Sequence, residues 1–81
     1  MMARVKLLYF ASLRDAAGVA CESVESTAAD LRDLYMEARA RHGFLLPPER
    51  LRVAVDGEFA DWGSAPPAGG EIAFIPPVSG G

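Results

Sequence analysis

At 81 residues the chain has the length of one domain and is too short to hold separate cofactor-binding and substrate-binding halves. Its residues are 51% hydrophobic and 23% charged, enough for a core. A chain of this size buries only about 60% of its unfolded surface on folding, which leaves room for a partner. Eight Lys plus Arg against eleven Asp plus Glu give a net charge of −3, and a single lysine, Lys6, with scattered arginines excludes a massed basic surface for nucleic acid.

Ala3 to Phe10 alternate with period two, placing Val5, Leu7 and Tyr9 on one side and Lys6, Leu8 and Phe10 on the other, the pattern of a first strand. Ala11 to Ala17 is short and helix-permissive, and Gly18 supplies a stop before a more polar second strand, Val19 to Glu25, expected to pair with the first. Thr27 followed by Asp30 has capping-box spacing, and Ala28, Leu31, Leu34, Tyr35 and Ala38 recur at helical intervals. Asp30 and Asp33 in the first turn and Arg39, Arg41 and His42 in the last suit the helix dipole, with Gly43 as the C-terminal cap. His42 therefore reads as a helix-end residue; a general base needs a positioned partner, and the sequence shows none.

Pro47-Pro48 bars the helix from continuing and predicts a crossing loop. Leu51, Val53 and Val55 then alternate with Arg52 and Ala54 up to Asp56-Gly57, a two-residue hairpin signal, and Glu58-Phe59-Ala60 begins the return. Trp62, in a Gly/Ser/Pro-rich stretch, is expected to cover the sheet end as a partly buried ring. Glu71 to Ile75 forms the last strand. One cysteine, Cys21, closes no internal disulfide, and with a single histidine it cannot build a four-ligand zinc site. Midway along a strand and without a neighbouring base, Cys21 reads as an inert small residue. The longest apolar run, Leu7 to Ala11, is far short of the roughly 20 residues of a membrane span, and no secretory signal precedes it, so a cytoplasmic protein with no membrane partner is expected.

This order of elements predicts an α+β domain: a mixed sheet with one main helix packed on one face, the last strand parallel to the first in the middle, which is the ubiquitin-like β-grasp arrangement. Val5, Leu7, Tyr9, Val53, Val55, Ile72 and Phe74 should pack against Leu31, Leu34, Tyr35 and Ala38. The opposite face should be polar if it met only water, yet it presents Leu8, Phe10, Ala54, Ala73, Ile75 and Phe59, with Lys6 and Arg52 around them; a docking surface is the inference.

Residues 1–75 are thus the β-grasp domain and residues 76–81, Pro76-Pro77-Val78-Ser79-Gly80-Gly81, a flexible tail without charge except the terminal carboxylate. Two prolines stiffen its base, and at ~3.3–3.6 Å per residue Pro77 to Gly81 reach roughly 17 Å into another protein. The closing Gly80-Gly81 makes a thread thin enough for a narrow channel, with one carbonyl carbon at its tip. A carboxylate is a poor electrophile until an oxygen becomes a leaving group, and adenylation would supply that. The chain has no G-x-x-x-x-G-K-[ST] phosphate loop, so ATP must be spent by a partner enzyme and the chain is substrate, not catalyst. A sulfur nucleophile would then give a C-terminal thiocarboxylate, and a lysine amine an isopeptide.

The run Phe10-Ala11-Ser12-Leu13-Arg14-Asp15-Ala16-Ala17-Gly18, the capped helix, Val53-Ala54-Val55-Asp56-Gly57 and the ending Glu71 to Gly81 together resemble the small, sulfur-carrier subunits of molybdopterin synthase, within the MoaD/ThiS-like ubiquitin-like family. The resemblance covers the whole chain. It implies a carrier in molybdenum cofactor biosynthesis, without an autonomous active site or bound cofactor, that acts as the sulfur-donor subunit of a heterotetramer. An adenylating, E1-like enzyme using ATP would activate Gly81, sulfur would come indirectly from a donor such as a cysteine desulfurase, and the tail (Pro76, Pro77, Val78, Ser79, Gly80) would thread into the large synthase subunit. That subunit supplies the catalytic pocket, where the Gly81 thiocarboxylate donates sulfur to cyclic pyranopterin monophosphate. Leu8, Phe10, Phe59 and Ile75 fall at positions resembling the family's partner-binding surface. Asp56 stands where relatives often have asparagine, and Gly70 where they often have aspartate. Alternatives are a carrier for thiamine or another sulfur pathway, a ubiquitin-like modifier joined to lysines, and a passive binding module.

Overall fold

The computed structural model describes residues 2–77. The elements in chain order are β1 (Ala3–Tyr9), α1 (Ala11–Ala17), β2 (Cys21–Ser26), α2 (Leu31–His42), a 3₁₀ turn (Pro48–Arg50), β3 (Arg52–Val55), β4 (Glu58–Ala60) and β5 (Glu71–Ile75). The strands form one mixed sheet in the order β2-β1-β5-β3-β4. β1 and β2 are antiparallel, β1 and β5 run parallel at the centre, and β3 pairs antiparallel with both β4 and β5. This is the expected β-grasp topology.

The period-two pattern places the core as expected: Val5, Leu7, Tyr9, Val53, Ile72 and Phe74 from the sheet are buried together with Leu31, Leu34, Tyr35 and Ala38 from α2. Val55 is only half-buried, Leu51 joins the core from just before β3 on the side its alternation with Val53 gives it, and Leu13 and Phe44, which no periodicity assigns, complete it. Leu13 enters because α1 is a real helix folded against β1, its C-terminus closed by Gly18 at φ 77, a left-handed position that glycine occupies without steric cost. Trp62 is half-buried and stacks on Phe74, with ring centroids 6.1 Å apart and an interplanar angle of 10°. Its expected place over the sheet is observed.

Two boundaries differ from expectation. The cap of α2 is Asp30, whose side chain accepts a hydrogen bond from the Asp33 amide at 2.8 Å. Thr27 and Ala28 lie before the helix, because the next amides find tertiary partners: Leu31 N–H donates to Ser64 O at 2.9 Å and Arg32 N–H to Trp62 O at 3.0 Å. The long β4–β5 loop thus replaces the capping box expected from Thr27 and Asp30. Likewise β2 begins at Cys21 rather than Val19, which leaves Cys21 exposed at the start of an edge strand instead of midway along a packed one.

The two departures in loop chemistry have local explanations. Asp56 and Gly57 take positive φ, 51 and 89, as a twisted two-residue hairpin requires. The Asp56 carboxylate accepts from Glu71 N–H at 3.0 Å while its own N–H donates to Glu71 O at 2.8 Å, locking the turn to β5. At Gly70 an added Cβ would sit 2.6 Å from Pro67 Cγ, so the proline turn before β5 leaves no room for a side chain.

Candidate functional site

The sheet face turned away from α2 is built by register. Leu8 of β1 stands opposite Cys21 of β2 and Ala73 of β5; Ala73 is opposite Ala54 of β3, and Ala54 opposite Phe59 of β4. Side chains of paired residues point to the same side of a sheet, so one row, Cys21-Leu8-Ala73-Ala54-Phe59, crosses all five strands. The two alanines are the low middle of that row. They are nearly covered by their neighbours, whereas Phe59 at its end is 63% exposed.

Nearer the C-terminal end of β5, Ile75 lies opposite Arg52, and the Arg52 guanidinium sits 4.2 Å from the Phe59 ring centroid. Phe10 follows β1 in extended conformation, φ −125, and is 45% exposed; the chain then turns through Ala11 at φ 49 into α1. At the other end of the face, Lys6 stands opposite both Ser23 and Glu71. The structure therefore brings Leu8, Phe59 and Ile75 onto one surface with Phe10 at its margin. Ala54 and Ala73 lie on that surface by register but are covered rather than exposed, because their methyl groups do not rise above the flanking side chains.

Pro76 is buried and Pro77 exposed, so packing continues one residue past β5. Val78, Ser79, Gly80 and Gly81 lie outside the described residues. β5 delivers the chain to this point from the middle of the sheet, held on both sides by β1 and β3.

A second group of polar residues was not visible in sequence. Glu22 of β2 gathers three donors on one carboxylate oxygen: Tyr9 Oη, His42 Nε2 at 2.6 Å and Arg41 Nη2 at 3.2 Å. His42 does have a positioned partner, contrary to the sequence reading, and its ring also packs edge-on to Tyr9 with centroids 5.5 Å apart. Partial burial pushes the Glu22 carboxyl up, but the hydrogen bonds from Tyr9, His42 and Arg41 more than offset it and hold it at about 2, against an ordinary 4.5. Burial, reinforced by Glu22, drives the Tyr9 hydroxyl well above its usual range. All three donors converge on one acceptor, so the cluster ties the end of α2 to β2. The residues are 9, 22, 41 and 42, a spacing that no local pattern joins.

Among the described residues no group of three or more His, Cys, Asp or Glu side chains could hold a metal ion, and no helix is long and apolar enough to cross a membrane. A groove of about 390 Å³ between α1 and the segment after α2 is lined by Ser12, Leu13, Ala16, Gly43, Phe44, Leu45 and Leu46, without an acid or base. The outer sheet face lies beside the point where the chain leaves β5 and exposes Phe59 and Phe10.

The ThiS family profile matches residues 7–81. This chain belongs to the ThiS family. Among solved structures it is similar to a candidate molybdopterin converting factor subunit 1 from Pyrococcus furiosus, at 30% identity over 94% of this chain and 99% of that one, with a TM-score of 0.76. It is also similar to small archaeal modifier protein 1 of Haloferax volcanii, at 28% identity over 94% and 99% of the two chains, again with a TM-score of 0.76. A complex of subunits 1 and 2 of molybdopterin-converting factor from Helicobacter pylori 26695 shares the fold, at 23% identity, full coverage of both chains and a TM-score of 0.63. No curated protein matches the chain significantly in sequence. This ThiS-family chain stands among β-grasp sulfur carriers and ubiquitin-like modifiers.

Proposed function

We propose that this ThiS-family protein is the sulfur carrier of a molybdopterin synthase. The observation that carries the reading is how β5 ends: a central strand hands the chain through Pro76 and Pro77 toward Gly81, beside an outer face that exposes Phe59 and Phe10 and holds Leu8 and Ile75. A domain that exists to present its terminus needs a rigid base for the tail and a surface by which a partner can hold it. The 30% identity to the Pyrococcus furiosus protein supports the molybdopterin assignment, and the Helicobacter pylori complex supports a second, larger subunit as acceptor.

In this reading a carboxylate oxygen of Gly81 attacks the α-phosphate of ATP on an adenylating enzyme, releasing pyrophosphate and forming an acyl-adenylate. Sulfide-level sulfur attacks the acyl carbon and expels AMP, leaving a thiocarboxylate. The tail, Pro76 through Gly80, threads into the large subunit, where the thiocarboxylate sulfur displaces an oxygen substituent of cyclic pyranopterin monophosphate to form a thioester; water then cleaves the acyl–sulfur bond, leaving sulfur on the pterin and restoring the Gly81 carboxylate for reloading. Leu8, Phe10, Phe59 and Ile75 hold the partner. A second reading, a ubiquitin-like modifier, is favoured by the 28% identity to the small archaeal modifier protein.

The test is to incubate the protein with its adenylating enzyme, ATP and a sulfur donor and to weigh it. A mass gain equal to oxygen replaced by sulfur is expected, and isopeptide adducts on other proteins would instead support the modifier. Deleting Gly81 should abolish loading and leave thermal melting unchanged; normal loading of the truncated chain would overturn the assignment.

A further inference from the structure

Arg52 occupies an unusual position on the outer face. By register it lies opposite Ile75, two residues before the exposed Pro77, so it borders the point where the chain leaves the sheet. Its planar guanidinium rests over the Phe59 ring at 4.2 Å, an arrangement that engages the face of the group, and among the described residues its N–H edge makes no hydrogen bond. Among the described residues Arg4, Arg32 and Arg41 each have a carboxylate partner, while Arg52, like Arg14, Arg39 and Arg50, has none; Arg52 alone of these lies on the outer sheet face. Charge also changes along the strands. The far end of the face carries both signs, with Lys6 opposite Glu71 and the Arg4–Glu25 pair, the middle row is apolar, and Arg52 is the one cation of the strand row that contains Ile75.

A partner that takes hold of the chain next to Pro77 meets this corner of the sheet first, because Arg52 stands opposite Ile75. It would cover Arg52 and remove its water, and a guanidinium buried without a counter-charge opposes association strongly. We infer that Arg52, held on Phe59, is a specificity-determining residue that receives an Asp or Glu carboxylate from the protein that accepts the tail, with an apolar side chain of the same partner seated over Ala54 and Ala73. The ring prevents the guanidinium from sweeping freely, so the fork is aimed before the partner arrives and less rotamer freedom is lost on binding. The inference rests on the sulfur-carrier reading only for the identity of that acceptor, the large subunit.

The test is calorimetric titration of the full-length protein with the large synthase subunit from the same genome, at low and high salt. Arg52→Glu should weaken binding by about tenfold or more, since a like-charge contact replaces a bidentate pair. Arg52→Lys should weaken it by roughly threefold to fivefold, because an ammonium neither stacks nor forks in the same way. The salt dependence seen with the natural protein should flatten in Arg52→Gln, and a Lys substitution at one acidic residue of the large subunit should restore affinity to Arg52→Glu. Melting of each variant should match the natural protein. Affinity of Arg52→Glu within twofold of the natural value, with the natural protein binding well, would overturn the role of Arg52 and leave the carrier reading standing. Failure of the natural protein to bind the large subunit would overturn the carrier reading, and with it the acceptor named here.

Discussion

The two faces of this one sheet are made from similar residue types and do opposite work. On the inner face Leu7, Ile72, Val53 and Phe74 are fully covered by α2 and by Tyr35, Phe44 and Trp62, and aromatic rings meet at 5.0 to 6.4 Å. On the outer face β1, β5, β3 and β4 contribute Leu8, Ala73, Ala54 and Phe59, and Phe59, with the Arg52 guanidinium over its ring, stays 63% exposed. Apolar residues on the inner face stabilise the fold by being buried, whereas on the outer face the two alanines are shielded by their neighbours and Phe59 stays in water. The contrast teaches that hydrophobicity in a strand does not by itself mean core.

Five substitutions test that contrast. Phe74→Ala removes a ring at the centre of the aromatic cluster and should cost about 3–5 kcal/mol, read as a large drop in the urea midpoint. A loss below about 1 kcal/mol would mean that the inner face is not the main source of stability. Glu22→Gln leaves Tyr9, Arg41 and His42 without their shared anion and should cost about 1–3 kcal/mol. The same pair of states sets a pH dependence. The folded carboxyl is held at about 2 against an ordinary 4.5, so its contribution is present above 4.5 and fades as pH falls from there toward 2. The natural protein should lose stability across that window more steeply than Glu22→Gln, and parallel curves would show that the cluster is not coupled to folding.

Smaller effects mark the helix start and the outer face. Asp30→Ala should cost about 1 kcal/mol by removing the bond to the Asp33 amide, whereas Thr27→Ala should change little; the reverse ranking in thermal melts would restore the capping box that the structure replaces. Phe59→Ala should leave stability within about 0.5 kcal/mol, since the ring is 63% exposed, while weakening the partner complex in calorimetry. A destabilisation as large as that of Phe74→Ala would erase the distinction between the faces.

Much of this was legible in the residue order. Alternation in Ala3 to Tyr9 and Arg52 to Val55 located strands and their inner faces, and Asp56-Gly57 located a hairpin, because both signals depend on neighbours in sequence. Leu8, Phe59 and Ile75 were readable as a common surface because period two and the strand order place them there. What could not be read were contacts between distant positions: Glu22 with His42 and Arg41, Arg52 over Phe59, and the carbonyls of Trp62 and Ser64 on the start of α2. Each depends on a side-chain direction or a loop path with no local periodicity.

By itself the sequence determined a small β-grasp chain with a helix on one side of a mixed sheet and apolar residues on the other, since hydrophobic period and turn chemistry are properties of adjacent residues. Only the tertiary structure decided that His42 has a carboxylate partner, that Cys21 is exposed, and that Arg52 stands on an aromatic platform beside the departing chain. Those outcomes follow from register and packing, which bring together groups that the chain itself keeps far apart.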